Sequence, residues 1–451
     1  MALGPVAGLL TTASTLLQLL RSPIIGLADN GDYKRVLSPL HLVADVPAGA
    51  PKQFQYLWLH YVPGRSTAQT YASTEVLLAR LVHWLDPGPD LDVRAMGLAH
   101  AVLLGVAVWL VVRALPGPLA LRALTAALLV VVLTDTRLIV YLQSFYTEPS
   151  SLLALLLVVA AVLHAWRRET LSVLGVLAIA AAAAALVVAK SQNAPLVLPM
   201  AVLLVARPSW RGRWLPAILA AGLVVLSVGY LQRQPPQLAA SNRYNAVFVE
   251  LLGFSPDPAA DLQELGVNPG LVSYKGIAIY QSGNALRDPR FGDFFETVTT
   301  RRIAQFYLEH PGRALSLARR GASASAELVP RGISPPLGTR TLEPGVEPYA
   351  DTCKLCLFSS LSRGLRGAAP VLLPLLWLAA AAAAWRLRGE DGVPPVLLLL
   401  ASSAAISTAV ALLAEGEFEI VKHLYLASVS NGLLAVLLVH AVGLVMHRRR
   451  T

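Results

Sequence analysis

Long apolar runs separated by short polar breaks dominate the chain. They fall near residues 5–25, 95–113, 118–134, 148–166, 170–189, 194–206, 214–231, 369–385, 395–414 and 424–446. A helix needs about 20 residues to cross a bilayer, fewer where it is broken or ends in protein-lined space. The pattern therefore predicts an all-α polytopic membrane protein with about ten transmembrane helices. The run at 194–206 is short and holds Pro195 and Pro199. It is retained because the charges on either side of it require a crossing there.

Those charges set the direction of threading. With the N-terminus inside, the short inner loops carry Arg113 and Arg122; Arg167 and Arg168; Arg207, Arg211 and Arg213; Arg386 and Arg388; and finally His447-Arg448-Arg449-Arg450. Every one is basic, as the positive-inside rule requires. Both termini are then cytoplasmic and two long segments, 26–94 and 232–368, lie outside. The expected organisation is an N-terminal transmembrane module (1–231), an extracytoplasmic domain or lid (232–368) and a C-terminal three-helix module (369–451). Within the first external segment, Val76, Leu77, Leu81 and Leu85 recur at near-helical spacing and predict a helix lying on the bilayer surface. In the second, helices are expected near 291–308 and 311–328. No convincing strand alternation is visible in either.

Composition agrees with a membrane protein: 55% of the 451 residues are hydrophobic and 14% charged. The net charge of +10 is spread over short loops without interleaved aromatics, which excludes a nucleic-acid interface. The usage of Ala, Leu, Val and Arg is that of a high-GC bacterial gene. No cleavage pattern follows the first run, so it is expected to remain as a signal-anchor helix. The two cysteines, Cys353 and Cys356, are too few for a four-ligand zinc site; on the outer side they predict a local disulfide.

Once threaded, the polar residues nearest the membrane gather on the outer side. Asp29-Asn30-Gly31-Asp32 follows the first run, with Tyr33, Lys34 and Arg35 behind it. Asp135 and Arg137, Tyr146 and Glu148, Lys190 to Asn193, and Glu415, Glu417, Glu419, Lys422 and His423 join them. Acids at a lipid boundary are costly unless a partner or a function holds them there. Plain structural roles compete at each position: an ion pair for Asp135 and Arg137, a helix cap for Glu148, a snorkelling lysine for Lys190. As a set, they supply what sugar transfer needs. A carboxylate, Asp32 or Asp29, would take the proton of an acceptor hydroxyl. Lys190, Lys422, His423 or an arginine of the large loop would hold the charge of a departing phosphate.

Five stretches carry a resemblance to a known family: Asp29 to Val36, Phe145-Tyr146-Thr147-Glu148-Pro149, Ala189 to Pro195, Asn242 to Phe248, and Lys422-His423-Leu424-Tyr425. Taken in order they resemble GT-C-type integral membrane glycosyltransferases, and within that group the WsfD-type hexose transferases of bacterial glycan biosynthesis. The resemblance implies a polyprenyl-phosphate sugar donor, used on the outer face of the cell membrane on an envelope glycan, lipid or protein acceptor. It also implies a catalytic acid in the first external loop, for which Asp32 is preferred over Asp29 because Gly31 permits a tight turn. Arg35, Tyr146, Glu148, Lys190, Gln192, Asn193, Glu417, Glu419, Lys422 and His423 are the expected substrate-binding residues. A divalent cation, Mg or Mn, serves some members and not others. The alternative is a transporter or flippase of a lipid-linked precursor. That class places its ionisable groups near the bilayer midplane in two related halves, whereas here they cluster at one surface.

Overall fold

A computed structural model describes residues 2–21, 24–46, 57–65, 71–85, 88–166, 172–206, 214–328, 353–388, 392–414 and 419–449. Each of the ten apolar runs contains a helix. They are α1 (Leu3–Leu20), then the amphipathic α2 (Thr74–Leu85), α3 (Val93–Ala114), α4 (Leu119–Leu133), α5 (Glu148–Ala165), α6 (Val173–Val187), α7 (Val197–Val205) and α8 (Trp214–Gln232). The large polar segment adds α9 (Pro236–Asn245), α10 (Thr300–Glu309) and α11 (Pro311–Ala324). The chain closes with α12 (Ala369–Arg386), α13 (Val393–Ala414) and α14 (Tyr425–Arg448). Seven of these helices are each long and apolar enough to span a membrane, and α4 with the turn after it, bent by 57°, makes an eighth. The apolar stretches Val173–Val187 and Ser191–Val205 are shorter. Pro195 explains the second, because its run opens as a 3-10 turn, Ser191–Leu196, before α7 begins.

Gly4 near the start of α1 lies against Trp109 near the end of α3, and Leu444 near the end of α14 lies against Gly117 just beyond α3, so both described chain ends share one pole of the helical bundle. One continuous apolar core joins α1 and α3 to α8 with α12–α14. A second core, rich in aromatics, is built on Tyr244, Phe248, Phe291, Phe294 and Phe306 of the 236–328 segment, and Leu412 of α13 plugs into it. There Arg313 binds Asp261 at 2.8 Å and Arg320 binds Glu250. Two of the large-loop arginines, Arg313 and Arg320, are thus committed to the fold of that segment itself.

Three expectations need correction. The chain is not purely helical: β1 (Leu42–Ala44), β2 (His60–Pro63) and β3 (Leu91–Asp92) form a small antiparallel sheet with Val43 opposite Val62 and His60 opposite Asp92. Strands of two to four residues leave no period to read. The helix expected at 291–308 is broken before Thr300, where Thr299 caps α10 through the amide of Arg302. On α2, Val76 faces inward while Leu77, Leu81, Trp84 and Leu85 form the exposed stripe.

The cysteines are joined as expected, Cys353 to Cys356. Their loop works as a clamp. Lys354 Nζ donates to the carbonyl of Gln18, an end carbonyl of α1, at 2.7 Å, and the Leu355 carbonyl accepts from the amide of Thr136 at 2.7 Å. Asp135 is part of the same joint, accepting from the amides of Arg137 and Ser359.

Helices α1 and α3 touch through glycines. A Cβ added at Gly8 would stand 2.6 Å from the Gly105 carbonyl and 3.0 Å from Trp109 Cβ, and one at Gly4 would stand 2.8 Å from the Trp109 ring. In lipid, where water does not press helices together, such close backbone contact is a main source of association. Gly8→Val is expected to cost about 1–3 kcal/mol through overpacking, read as a lower Tm of the detergent-solubilised protein. An unchanged Tm would show that α1 is not held by this contact.

Candidate functional site

Four separate stretches meet at the pole opposite the chain ends. The first, 28–35, is a tight turn that needs Gly31, whose φ is 100°. Asp29 Oδ1 accepts from the amides of Gly31 at 2.6 Å and Tyr33 at 3.1 Å, closing the turn on itself. Tyr33 anchors it: its hydroxyl donates to the Leu27 carbonyl and its buried ring packs edge-on against Phe145 and Tyr146. Tyr146 serves the same turn, donating to the Ala28 carbonyl at 2.8 Å and accepting from the Asn30 amide at 3.1 Å. It shapes the loop from below.

Asp32 points the other way. Its carboxylate binds Arg35 at 2.8 Å through one oxygen and Lys422 Nζ at 2.9 Å through the other. Burial opposes its ionisation, but Arg35 and Lys422 together hold it well below the usual carboxylate range. Lys422 is buried, also bonded to Glu419, and sits 5.4 Å over the Tyr146 ring. Its burial is outweighed by Asp32, Glu419 and Glu148, which keep it charged. Glu419 has a left-handed backbone (φ 57°) and accepts from the Asn30 side chain, so the 419–423 turn is tied directly to the Asp29–Asp32 turn.

The third and fourth stretches add a second pair. Glu148 opens α5 and binds Lys190 Nζ at 3.0 Å, both nearly buried. A buried ion pair takes the place of the snorkelling alternative for Lys190, while Glu148 also lies in the first turn of α5, where an acid complements the helix dipole. Lys190 Nζ also lies 3.4 Å from His423 Nδ1, which is 3.4 Å from Gln192 Oε1. Lys190, Gln192, Lys422, His423 and Glu148 line one small cavity, where the amide nitrogen of Gln192 is buried with no partner among the described residues. Asn193 plays a different part. Its side chain donates to Ser151 Oγ at 2.8 Å and to the Leu186 carbonyl at 3.1 Å, stitching α5 to α6. Glu417, with Glu415, lies outside the described residues.

A family model described as the YfdI N-terminal transmembrane domain matches residues 3–451. The chain belongs to this family. No curated protein matches the sequence. Among solved structures, the apo oligosaccharyltransferase of Archaeoglobus fulgidus aligns at 13% identity with a TM-score of 0.42, covering 99% of this chain and 50% of that one. The complex of the same organism's oligosaccharyltransferase AglB with an inhibitory peptide and a dolichol-phosphate aligns at 14% identity and 0.43, with the same coverage. This member of the YfdI N-terminal transmembrane domain family therefore spans about half the length of those chains.

Two features of this family member have little trace in its sequence. Glu75 on α2 is fully buried, accepts from Ser150 Oγ of α5 at 2.6 Å and pairs with His100 Nε2 of α3 at 3.1 Å; His100 Nδ1 lies 2.7 Å from the Leu142 carbonyl. A histidine within an apolar run was the available signal. The other is the strap of 71–75, where Ser73 Oγ donates to the Ala189 carbonyl at 2.6 Å and Tyr71 Oη accepts from the Ser191 amide at 2.8 Å, seating the turn that presents Lys190. As for a divalent cation, the ammonium of Lys422 occupies the place between Asp32 and Glu419 where a metal would bridge two carboxylates. Among the described residues no set of three His, Cys, Asp or Glu side chains forms a metal site.

Asp29 yields a pH signature distinct from that of Asp32. Burial, the largest influence, pushes it up from 3.8 to about 6 against the pull of its two amide partners. The folded state then binds the proton more tightly than the unfolded chain, so stability falls as pH rises from about 4 through about 6. Asn at this position keeps the accepting oxygen and removes the titration. Asp29→Asn is expected to show a flatter Tm-against-pH curve over that window; identical slopes would refute the assignment.

Proposed function

We propose that the chain is an integral membrane glycosyltransferase of GT-C type that moves a hexose or pentose from a polyprenyl-phosphate donor to an envelope glycan, lipid or protein on the outer face of the cell membrane. The observation that carries this reading is the pairing of one ionised, partly accessible carboxylate, Asp32, with Lys422, which lines one small cavity together with Lys190 of another stretch. Sugar transfer needs those two kinds of group within reach of one bond. The basic residues at the opposite pole, Arg113, Arg122, Arg386, Arg388 and His447 to Arg449, support placing the site outside and both termini inside. The lid, 232–368, would cover the site, and the two helical modules, 1–231 and 369–451, would hold the lipid tail.

In this reaction Asp32 accepts the acceptor's hydroxyl proton as oxygen forms its bond to the anomeric carbon, and the carbon–phosphate oxygen bond breaks with its electron pair going to the phosphate. A single displacement inverts the anomeric centre. Lys190 and Lys422, with His423 and the Gln192 amide beside them, meet the growing phosphate charge. Glu148 and Glu419 hold the lysines in place. Asp29 organises the turn and touches no reacting atom. The WsfD-type resemblance favours a hexose.

The test is transfer of labelled sugar from a polyprenyl-phosphate donor by purified protein. Asp32→Asn is expected to lose about 10²–10⁴-fold in kcat, the usual contribution of a positioned base, while Asp29→Asn retains most of it. Full transfer by both variants would remove the carboxylate from the mechanism. Lys190→Met is expected to weaken donor use by about tenfold or more, the cost of removing one partner of a buried charge pair.

A further inference from the structure

Among the described residues, three carboxylates, Asp32, Glu148 and Glu419, are paired with three cations, Arg35, Lys190 and Lys422, in contacts that join four stretches of chain. A phosphate entering such a site finds each lysine already engaged. To gain a cation it must take one from a carboxylate, and the carboxylate so abandoned in a partly buried place then favours a proton.

Lys422 is the cation placed to make that exchange. It lines the cavity with Lys190, His423 and Gln192, and it is also the direct partner of Asp32. Glu419 gives it a second anchor, on its own turn, which it keeps whichever way its ammonium leans. The amide nitrogen of Gln192, buried with no partner among the described residues, gives this cavity a donor for an anion. Arg35 stays with Asp32 and with the Tyr71 ring, 5.8 Å away, on the far side.

We infer that Lys422 is a charge switch: it holds Asp32 as a carboxylate in the resting protein and passes to the leaving phosphate as Asp32 takes the acceptor's proton. This rests on the glycosyl-transfer reading above. The step balances. The acceptor O–H bond breaks and its proton goes to Asp32; the new oxygen–carbon bond forms; the carbon–phosphate oxygen bond breaks, and the phosphate gains one negative charge as Asp32 loses one. A single ammonium follows that charge, so the net charge of the site stays constant through the reaction. The switch also makes Asp32 a stronger base as the reaction proceeds, because its depressing partner leaves.

The switch is testable by binding alone. Asn at position 32 copies the protonated acid and frees Lys422, so Asp32→Asn is expected to bind undecaprenyl phosphate in detergent about tenfold more tightly than the wild type, the size of a charge-pair coupling, with undecaprenol as the uncharged control. Lys422→Met is expected to weaken binding, and the double variant to bind like Lys422→Met. Asp32→Ala, checked for folding by its Tm, serves as a second route to the freed lysine. Unchanged or weaker binding by both Asp32 variants, or a gain that survives without Lys422, would overturn the switch while leaving the transferase reading intact. Absence of binding by the wild type itself would overturn both.

Discussion

Charge pairing in a partly buried place is the constraint on which this structure turns. Asp32, Arg35, Lys422, Glu419, Glu148 and Lys190 come from four stretches far apart in the chain, and burying any one of these charges without its partner is costly. Each stretch therefore depends on the others being present. The Asp29–Asp32 turn is held from beneath by Tyr33 and Tyr146 and from above by Glu419 and Lys422. The Lys190 turn is seated by the 71–75 strap and faces Glu148 at the start of α5.

The helical frame serves this site by bringing helix ends together. Because α1, α6 and α8 end at the pole where α5 and α14 begin, the loops carrying the charges converge without any of them being long. Close glycine contact between α1 and α3, the buried Glu75–His100–Ser150 bridge and the disulfide-closed loop over the end of α1 all support the helices that carry the charged cluster. The 236–328 segment, by contrast, rests on its own aromatic core and its own arginine pairs.

Two carboxylates three residues apart acquire opposite characters from their surroundings. Asp29 is half-buried among backbone amides and rises to about 6, whereas Asp32, beside two cations, stays ionised. The difference lies in which partners the fold delivers, and nothing in the four residues Asp29-Asn30-Gly31-Asp32 distinguishes them beyond the glycine. The same holds for Asn193, which shares a turn with Lys190 yet spends its side chain on joining two helices.

Helices are local objects, so their apolar runs and the gathering of charged and polar groups in the short breaks between them were legible in the chain alone. So was the membership of Asp32, Lys190, Lys422 and His423 in one constellation, because threading through a membrane leaves few places for a charge to go. The small sheet, the pairing of Arg313 and Arg320 within the 236–328 segment, the buried pairing of Lys190 and the position of Lys422 between Asp32 and Glu419 were decided only by the tertiary structure. They depend on contacts across tens to hundreds of residues, where the energy of a charge is set by the neighbour the fold supplies rather than by its neighbours in sequence.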